Sequence, residues 1–447
     1  MGADIEIFRQ EILRKLGAAE GMHTCAPTSD DMQNSPFVKR FNKSLMRRGA
    51  CPTSPLPRRK QVPLFLTSPP GSALPYDGCM IPAPAIDRAQ FKSPLHQMAG
   101  TTPTCLWNDS AAIEELTYSI QHGAVGATCN PVIAVTVLKQ EMQVWKPRIR
   151  ELAALMPHAT EDEISWRIVE EISAGAARLL LPVFAREKGR NGRLSIQTDP
   201  RNYRNTGAMV DQAVRFNGLA PNMIVKIAAT RAGIPAIEEA TYRGISINAT
   251  VSFTLPQAIA VAEAVERGLK RRQAEGADIS TMGPVCTLMV GRLDDWLKVL
   301  HDKHNLSVDP GYLEWAGVAV FKKAYQIYQA RGYRLRLLSA AFRNHMHWSE
   351  FIGGDVVISP PCSWQKRYNE SDIEVISRIG SPVDPRIVDT LLRKFPDFAR
   401  AYSEDGLTAD EFDSFGATRR TLRQFIAACA EMNAIVRDIM LPNPDME

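Results

Sequence analysis

Between residues 104 and 361 the chain repeats one pattern eight times, a short apolar strand-like run followed by a longer stretch of helical periodicity. The strand-like runs occupy 104–109, 126–130, 194–198, 223–228, 246–251, 284–290, 334–340 and 356–361. Between them, segments such as 111–121, 164–180, 257–275 and 312–330 carry apolar residues at three- and four-residue spacing. Strands that alternate with helices are joined by crossovers and run parallel, and runs this continuously apolar are covered on both faces. The expected fold is therefore α/β, a (β/α)8 TIM barrel with a Pro-rich N-terminal extension and C-terminal helices. In such barrels the chemistry sits at the C-terminal ends of the strands, which is where Asp109, Asn130, Gln197, Lys226, Asn248, Thr250, Thr287 and Arg343 fall.

Residues 222–253, NMIVKIAATRAGIPAIEEATYRGISINATVSF, hold the most unusual of these positions. They read as strand, short helix over 231–242 and strand again, with Gly244 stopping the helix. Side chains alternate along a strand, so Lys226 shares a face with Ile224 and Ala228, and Asn248 shares one with Thr250. With the apolar alternates facing the helices, Lys226, Asn248 and Thr250 point together into the barrel. Burial disfavours an ammonium, lowers its pKa and can turn a lysine into an amine nucleophile that forms a Schiff base with a carbonyl. A lysine that snorkels from the barrel rim to water is the structural alternative.

Four ordered segments resemble the transaldolase family of Schiff-base enzymes. Residues 126–133, GATCNPVI, are similar to that family's second-strand motif GATSNPTI, and the lysine segment resembles its fourth and fifth strands. TLMVGR at 287–292 stands where the family has Ser-x-Phe-Val-x-Arg, and SAAFRN at 339–344 resembles ASFRN. The resemblance spans residues 104–361. It implies that Lys226 is the imine-forming nucleophile and that Asp109, in LWNDSAAI, is the general acid/base for carbon–carbon cleavage. An N-cap for the following helix is the other role open to Asp109. By the same resemblance Asn130 and Asn248 hydrogen-bond the hydroxyls of a bound three-carbon unit, and Thr250 helps hold a catalytic water. Thr287 keeps a hydroxyl where the family has serine, and Arg292 and Arg343 clamp a terminal phosphate with planar donor forks.

The departures from the family bear on which reaction is run. The third-strand motif has a glutamate where Ser195-Ile196-Gln197-Thr198 has an amide, and an amide cannot act as a general base. Gln197 can still position a water, and the fructose 6-phosphate aldolase branch is similar in having glutamine there. That branch also has a sixth-strand tyrosine, where this chain has Met289 and typical transaldolases have phenylalanine. Ala341 replaces a phosphate-contacting serine; one lost neutral hydrogen bond costs about 0.5–1.5 kcal/mol. Ala228 and Cys129 read as substitutions that preserve volume, with Cys129 expected to be buried.

The rest of the chain sets bounds. Its 447 residues, 45% of them hydrophobic, suffice for a barrel plus additional segments, and a net charge of +4 argues against a nucleic-acid partner. Eight cysteines, none in a Cys-x-x-Cys pair, suit a reducing cytoplasm, and no apolar run approaches the length of a membrane span. Neither a signal peptide nor a myristoylation signal is expected at the N-terminus. Residues 1–102 read as an extended or flexible arm, Pro-rich over 51–94, with basic clusters at 39–48 and 58–60 and one short helix near 5–16. Such an arm serves as a linker, a docking tail or a cover for the site. The barrel is expected over 103–362. A helical segment over 363–447 either closes the barrel mouth, as the resemblance implies, or forms an outer packing layer. His301-x-x-His304 and His345-x-His347 are weak metal patterns; no metal and no organic cofactor are expected. The expected partners are sugar phosphates, with neither nucleic acid nor membrane, and a homodimer is left open. The expected function is a transaldolase moving a dihydroxyacetone unit between sugar phosphates. A dihydroxyacetone-releasing aldolase is the alternative, and a non-catalytic barrel that binds a sugar phosphate or a partner is the alternative of another class.

Overall fold

A computed structural model describes residues 90–446. Eight parallel strands close into a barrel in chain order: β1 Cys105–Asn108, β2 Ala124–Thr128, β3 Arg193–Gln197, β4 Met223–Ala228, β5 Ile247–Ser252, β6 Val285–Leu288, β7 Arg336–Ser339 and β8 Val357–Ile358. Each expected strand is present. β2 both starts and stops two residues earlier than its apolar run suggested, because Asn130 leaves the sheet to cap the helix Pro131–Gln140. Its Oδ1 accepts the Ile133 amide at 3.0 Å, and Pro131 at the first helical position has no amide to satisfy.

The barrel floor is packed, not open. Trp107, Ile224, Val285, Leu338, Ala340 and Val357 form a buried cluster inside it, and Gly126 lets the Trp107 indole lie where a side chain on β2 would stand. Register sets what lies above. Gln197 pairs with Lys226, and Lys226 with Asn248, so these three side chains form one row across β3, β4 and β5.

Beyond β5 the ladder is irregular. Its register to β6 shifts between Ala249 and Ser252, and Val251 there has a left-handed φ of 54°. A β-branched residue disfavours that conformation, so neighbouring contacts must hold it. Gln257, fully buried on the helix Leu255–Ala274, supplies them. Its amide nitrogen donates to the carbonyls of Ala229 (3.0 Å) and Val251 (3.1 Å), while its oxygen accepts from the Phe253 amide and the Thr254 hydroxyl, each at 3.1 Å.

The expected arm reaches residue 102, but Pro94–Thr101 is a helix. Ser93 caps it, and Leu95 and Met98 are buried, the Met98 sulfur accepting the Trp348 indole N–H. Two apolar residues at helical spacing are enough to pull this segment onto the barrel. The expected short helix near 5–16 and both basic clusters lie outside the described residues. At the other end, the helices Pro385–Lys394, Pro396–Tyr402 and Gly416–Met440 follow β8 within the segment expected to be helical. Among the described residues no helix is long and apolar enough to cross a membrane.

Gln257→Leu should strand two buried carbonyls and one buried amide. The expected loss of stability is about 2–4 kcal/mol, read as a lower urea midpoint at unchanged slope; an unchanged midpoint would show that the irregular end of β5 holds itself.

Candidate active site

A cavity of about 160 Å³ opens at the C-terminal ends of the strands, walled by Asp109, Asn130, Lys226, Thr250, Thr287, Arg292 and Arg343 among others. Seven of the nine expected site residues therefore meet in one place. The two others lie beneath its wall. Asn248 is fully buried with both ends engaged, its amide nitrogen donating to Ser195 Oγ (3.0 Å) and its oxygen accepting from Thr287 Oγ1 (2.7 Å). Gln197, 3% exposed, sits beside Lys226 in register, and its Oε1 is buried with no partner.

Lys226 is 5% exposed. Burial holds its ammonium pKa below the usual lysine value; the charge of Asp109 opposes that shift without cancelling it. The snorkelling alternative is excluded, since the side chain points into the cavity from mid-barrel. Cys129 is buried, and desolvation pushes its thiol up to about 11, which makes it unreactive.

Asp109 follows β1. It does not cap the next helix, which starts at Ile113 without a side-chain cap; the Ala112 amide is taken by Ser110 instead. The Asp109 carboxylate accepts the Thr128 hydroxyl at 2.5 Å and presents its remaining face to the cavity. Asn130 accepts the helix-cap bond on its oxygen, which leaves its amide N–H groups and the second lone pair of that oxygen for a ligand.

The two arginines are held from outside the barrel. The guanidinium of Arg343 rests on Asp295, with Nη2 2.8 Å from Oδ2 and Nε 3.1 Å from the same oxygen. Arg292 donates through Nη1 to Gln424 and lies 5.7 Å from the Phe425 ring centroid, both on the helix Gly416–Met440. Burial and then the nearby Arg343 charge lower the pKa of Arg292, and its Nε is buried without a partner. Two cations pressed together with an unused donor favour an anion between them. The C-terminal helix thus contributes to the cavity wall as well as packing on the barrel. Ala341, also in the wall, has a left-handed φ of 64°, a second strained backbone position at the site.

The family model for Transaldolase/Fructose-6-phosphate aldolase matches residues 106–411. The chain belongs to this family. Transaldolase 2 of Streptomyces avermitilis is 34% identical over 212 residues, 47% of this chain and 56% of that protein. The transaldolase of Kocuria rhizophila is 30% identical over 245 residues, covering 51% and 66%. That of Thiobacillus denitrificans is 33% identical over 216 residues, covering 46% and 58%. The chain thus matches between about half and two thirds of the length of these curated relatives.

Sequence reasoning missed Asp295, Gln424 and Thr128, which fix the expected residues. Asp295 lies 48 residues before the Arg343 it holds, too far for local spacing to show it. Among the described residues no cluster of three or more histidine, cysteine, aspartate or glutamate side chains could hold a metal. Of the paired histidines, His301 bonds Asp302 at 2.9 Å, and His345 bonds Ser349 at 3.2 Å.

Because burying an amine costs stability, Lys226→Met should raise the thermal midpoint, by about 0.5–2 kcal/mol of stability. Calorimetry checks it, and a lower midpoint would mean that the ammonium is well solvated in its cavity.

Proposed function

We propose that the protein is a Schiff-base transaldolase, which moves a dihydroxyacetone unit from a ketose phosphate such as fructose 6-phosphate or sedoheptulose 7-phosphate to an aldose phosphate. The observation that carries this reading is the buried amine of Lys226 in the wall of one cavity with the Asp109 carboxylate and two arginines. A lysine with a lowered pKa has a neutral fraction able to add to the C2 carbonyl; loss of water then gives an iminium. Asp109 accepts the proton of the C4 hydroxyl as the C3–C4 bond breaks, and the electron pair moves into the iminium to leave an enamine. The released aldehyde departs. An incoming aldehyde takes the same path in reverse, with Asp109 returning the proton to its oxygen, and hydrolysis frees Lys226.

The remaining residues suit supporting roles. Asn130 offers N–H donors to the cavity, which match hydroxyl oxygens of the three-carbon unit. Thr250 and Thr287 present hydroxyls to the cavity. Asn248 acts through Thr287 and Ser195 instead of by direct contact. Arg292 and Arg343 suit a terminal phosphate, Arg292 through its unused Nε. Gln197 has a buried oxygen in need of a donor, which a water beside Lys226 would supply; it can orient that water and cannot deprotonate it. No metal or organic cofactor enters these steps. The reading puts the protein in cytoplasmic carbohydrate metabolism, with the pentose phosphate pathway as its setting.

The same amide favours one second reading, a dihydroxyacetone-releasing aldolase in which water protonates the enamine. Borohydride trapping with fructose 6-phosphate tests the shared step. A dihydroxyacetone-sized adduct on Lys226 by peptide mass spectrometry is expected; no adduct on folded protein would remove both readings. Product analysis with and without an aldose phosphate acceptor then separates them, transfer being expected and steady acceptor-independent release of dihydroxyacetone favouring the aldolase. Gln197→Glu should raise transfer turnover by restoring a carboxylate, and an unchanged or lower rate would show a site rebuilt around the amide.

A further inference from the structure

The loop after β7 carries Arg343. It leaves the strand through the left-handed Ala341 and comes down on the N-terminus of the helix Val290–His304. Gly291 permits that approach, since a Cβ there would stand 2.0 Å from the Ala341 carbonyl oxygen and 3.1 Å from His347 Cε1. Tyr368 donates its hydroxyl to the Asn344 carbonyl at 3.0 Å and the Asn344 side-chain amide donates to Glu314 at 2.7 Å, but the Arg343 backbone itself is tied by one side chain. His347, fully buried, accepts the backbone N–H of Arg343 on Nδ1 at 3.1 Å. An amide nitrogen can only donate, so the ring proton is on Nε2. That nitrogen donates to Asp294 Oδ2 at 2.8 Å, and Asp294, also fully buried, accepts the Gly317 amide on Oδ1 at 2.8 Å. Helix Val290–His304 therefore serves Arg343 twice: Asp295 takes its guanidinium and Asp294, through His347, its backbone.

We propose that Asp294 and His347 are positioning residues that fix the tautomer of one imidazole, hold the Arg343 backbone, and so set the anion-binding geometry of the cavity. This rests on the reading of Arg292 and Arg343 as the phosphate site. A buried polar pair is poorly explained by stability, because a well-packed apolar pair of similar volume is often as stable or more so. A directional role accounts for it. The imidazole reads a donor on one side and an acceptor on the other, and the loop it ties carries strain at Ala341 that a looser anchor would release.

Asp294→Asn is the sharpest variant. Its oxygen must stay on the Gly317 amide, so its NH2 faces His347, forces the ring proton onto Nδ1 and sets donor against donor at the Arg343 amide. Inorganic phosphate binding to the full chain, read by calorimetry, should weaken about ten-fold. The KM for fructose 6-phosphate should rise by the same factor at nearly constant kcat, and trapping of unphosphorylated dihydroxyacetone on Lys226 should be unchanged. His347→Asn, whose oxygen can replace Nδ1 as acceptor, should keep most of the phosphate binding that His347→Leu loses. That pair decides the matter even if Asp294→Asn does not fold. Wild-type phosphate affinity in Asp294→Asn, or equal affinity in the two His347 variants, would overturn the proposal, as would loss of phosphate binding and dihydroxyacetone trapping together. A wild-type protein that binds phosphate but traps no dihydroxyacetone would instead defeat the Schiff-base reading alone.

Discussion

The desolvation of one ammonium is the constraint on which the site depends. Lys226 stands mid-barrel with 5% of its surface exposed, and the nearby carboxylate only partly offsets the cost of its charge. The residues around it shape that environment. The apolar cluster about Trp107 fills the barrel below, the row from Gln197 to Asn248 flanks the amine with neutral amides, and Asp109, just after β1, has a hydroxyl to steady it. A fully formed ion pair at this point would restore the usual lysine pKa and remove the nucleophile.

The anion end of the cavity follows a different logic, in which rigidity comes from outside the barrel. Arg292 and Arg343 repel each other, so each is held by its own neighbour: Gln424 and Phe425 from the C-terminal helix, and Asp295 with the His347 tie from the helix after β6. Guanidinium groups fixed in advance lose little entropy when a phosphate arrives. Val251 and Ala341, two of the left-handed non-glycine positions, are each matched by a buried hydrogen-bonding side chain, Gln257 and His347.

Much of this was legible in the sequence because it is local. The period-two pattern around Lys226 showed which residues face inward, and the four motifs carry six of the seven expected side chains that reach the cavity, Asp109 being the seventh. Reading failed where long-range pairing decides. Nothing near Asn248 announces that Ser195 and Thr287 occupy both its ends, and Arg292 and Gln424 are 132 residues apart. His347 looked like half of a weak metal pattern because Asp294 lies 53 residues before it. Local capping misled at Asn130, which reads as the end of a strand and is the start of a helix, and composition misled at residues 94–101, where a Pro-rich run ends in a packed helix.

The central claim is that the barrel holds Lys226 as an amine whose proton is unusually easy to lose. Carbon-13 NMR of lysine-labelled protein, with Lys226 assigned by its replacement with methionine, measures this without substrate. The account predicts a titration midpoint clearly below the ordinary lysine value of about 10.4. A midpoint at or above that value would contradict it, and would leave the cavity as a binding site for anions with no nucleophile of its own.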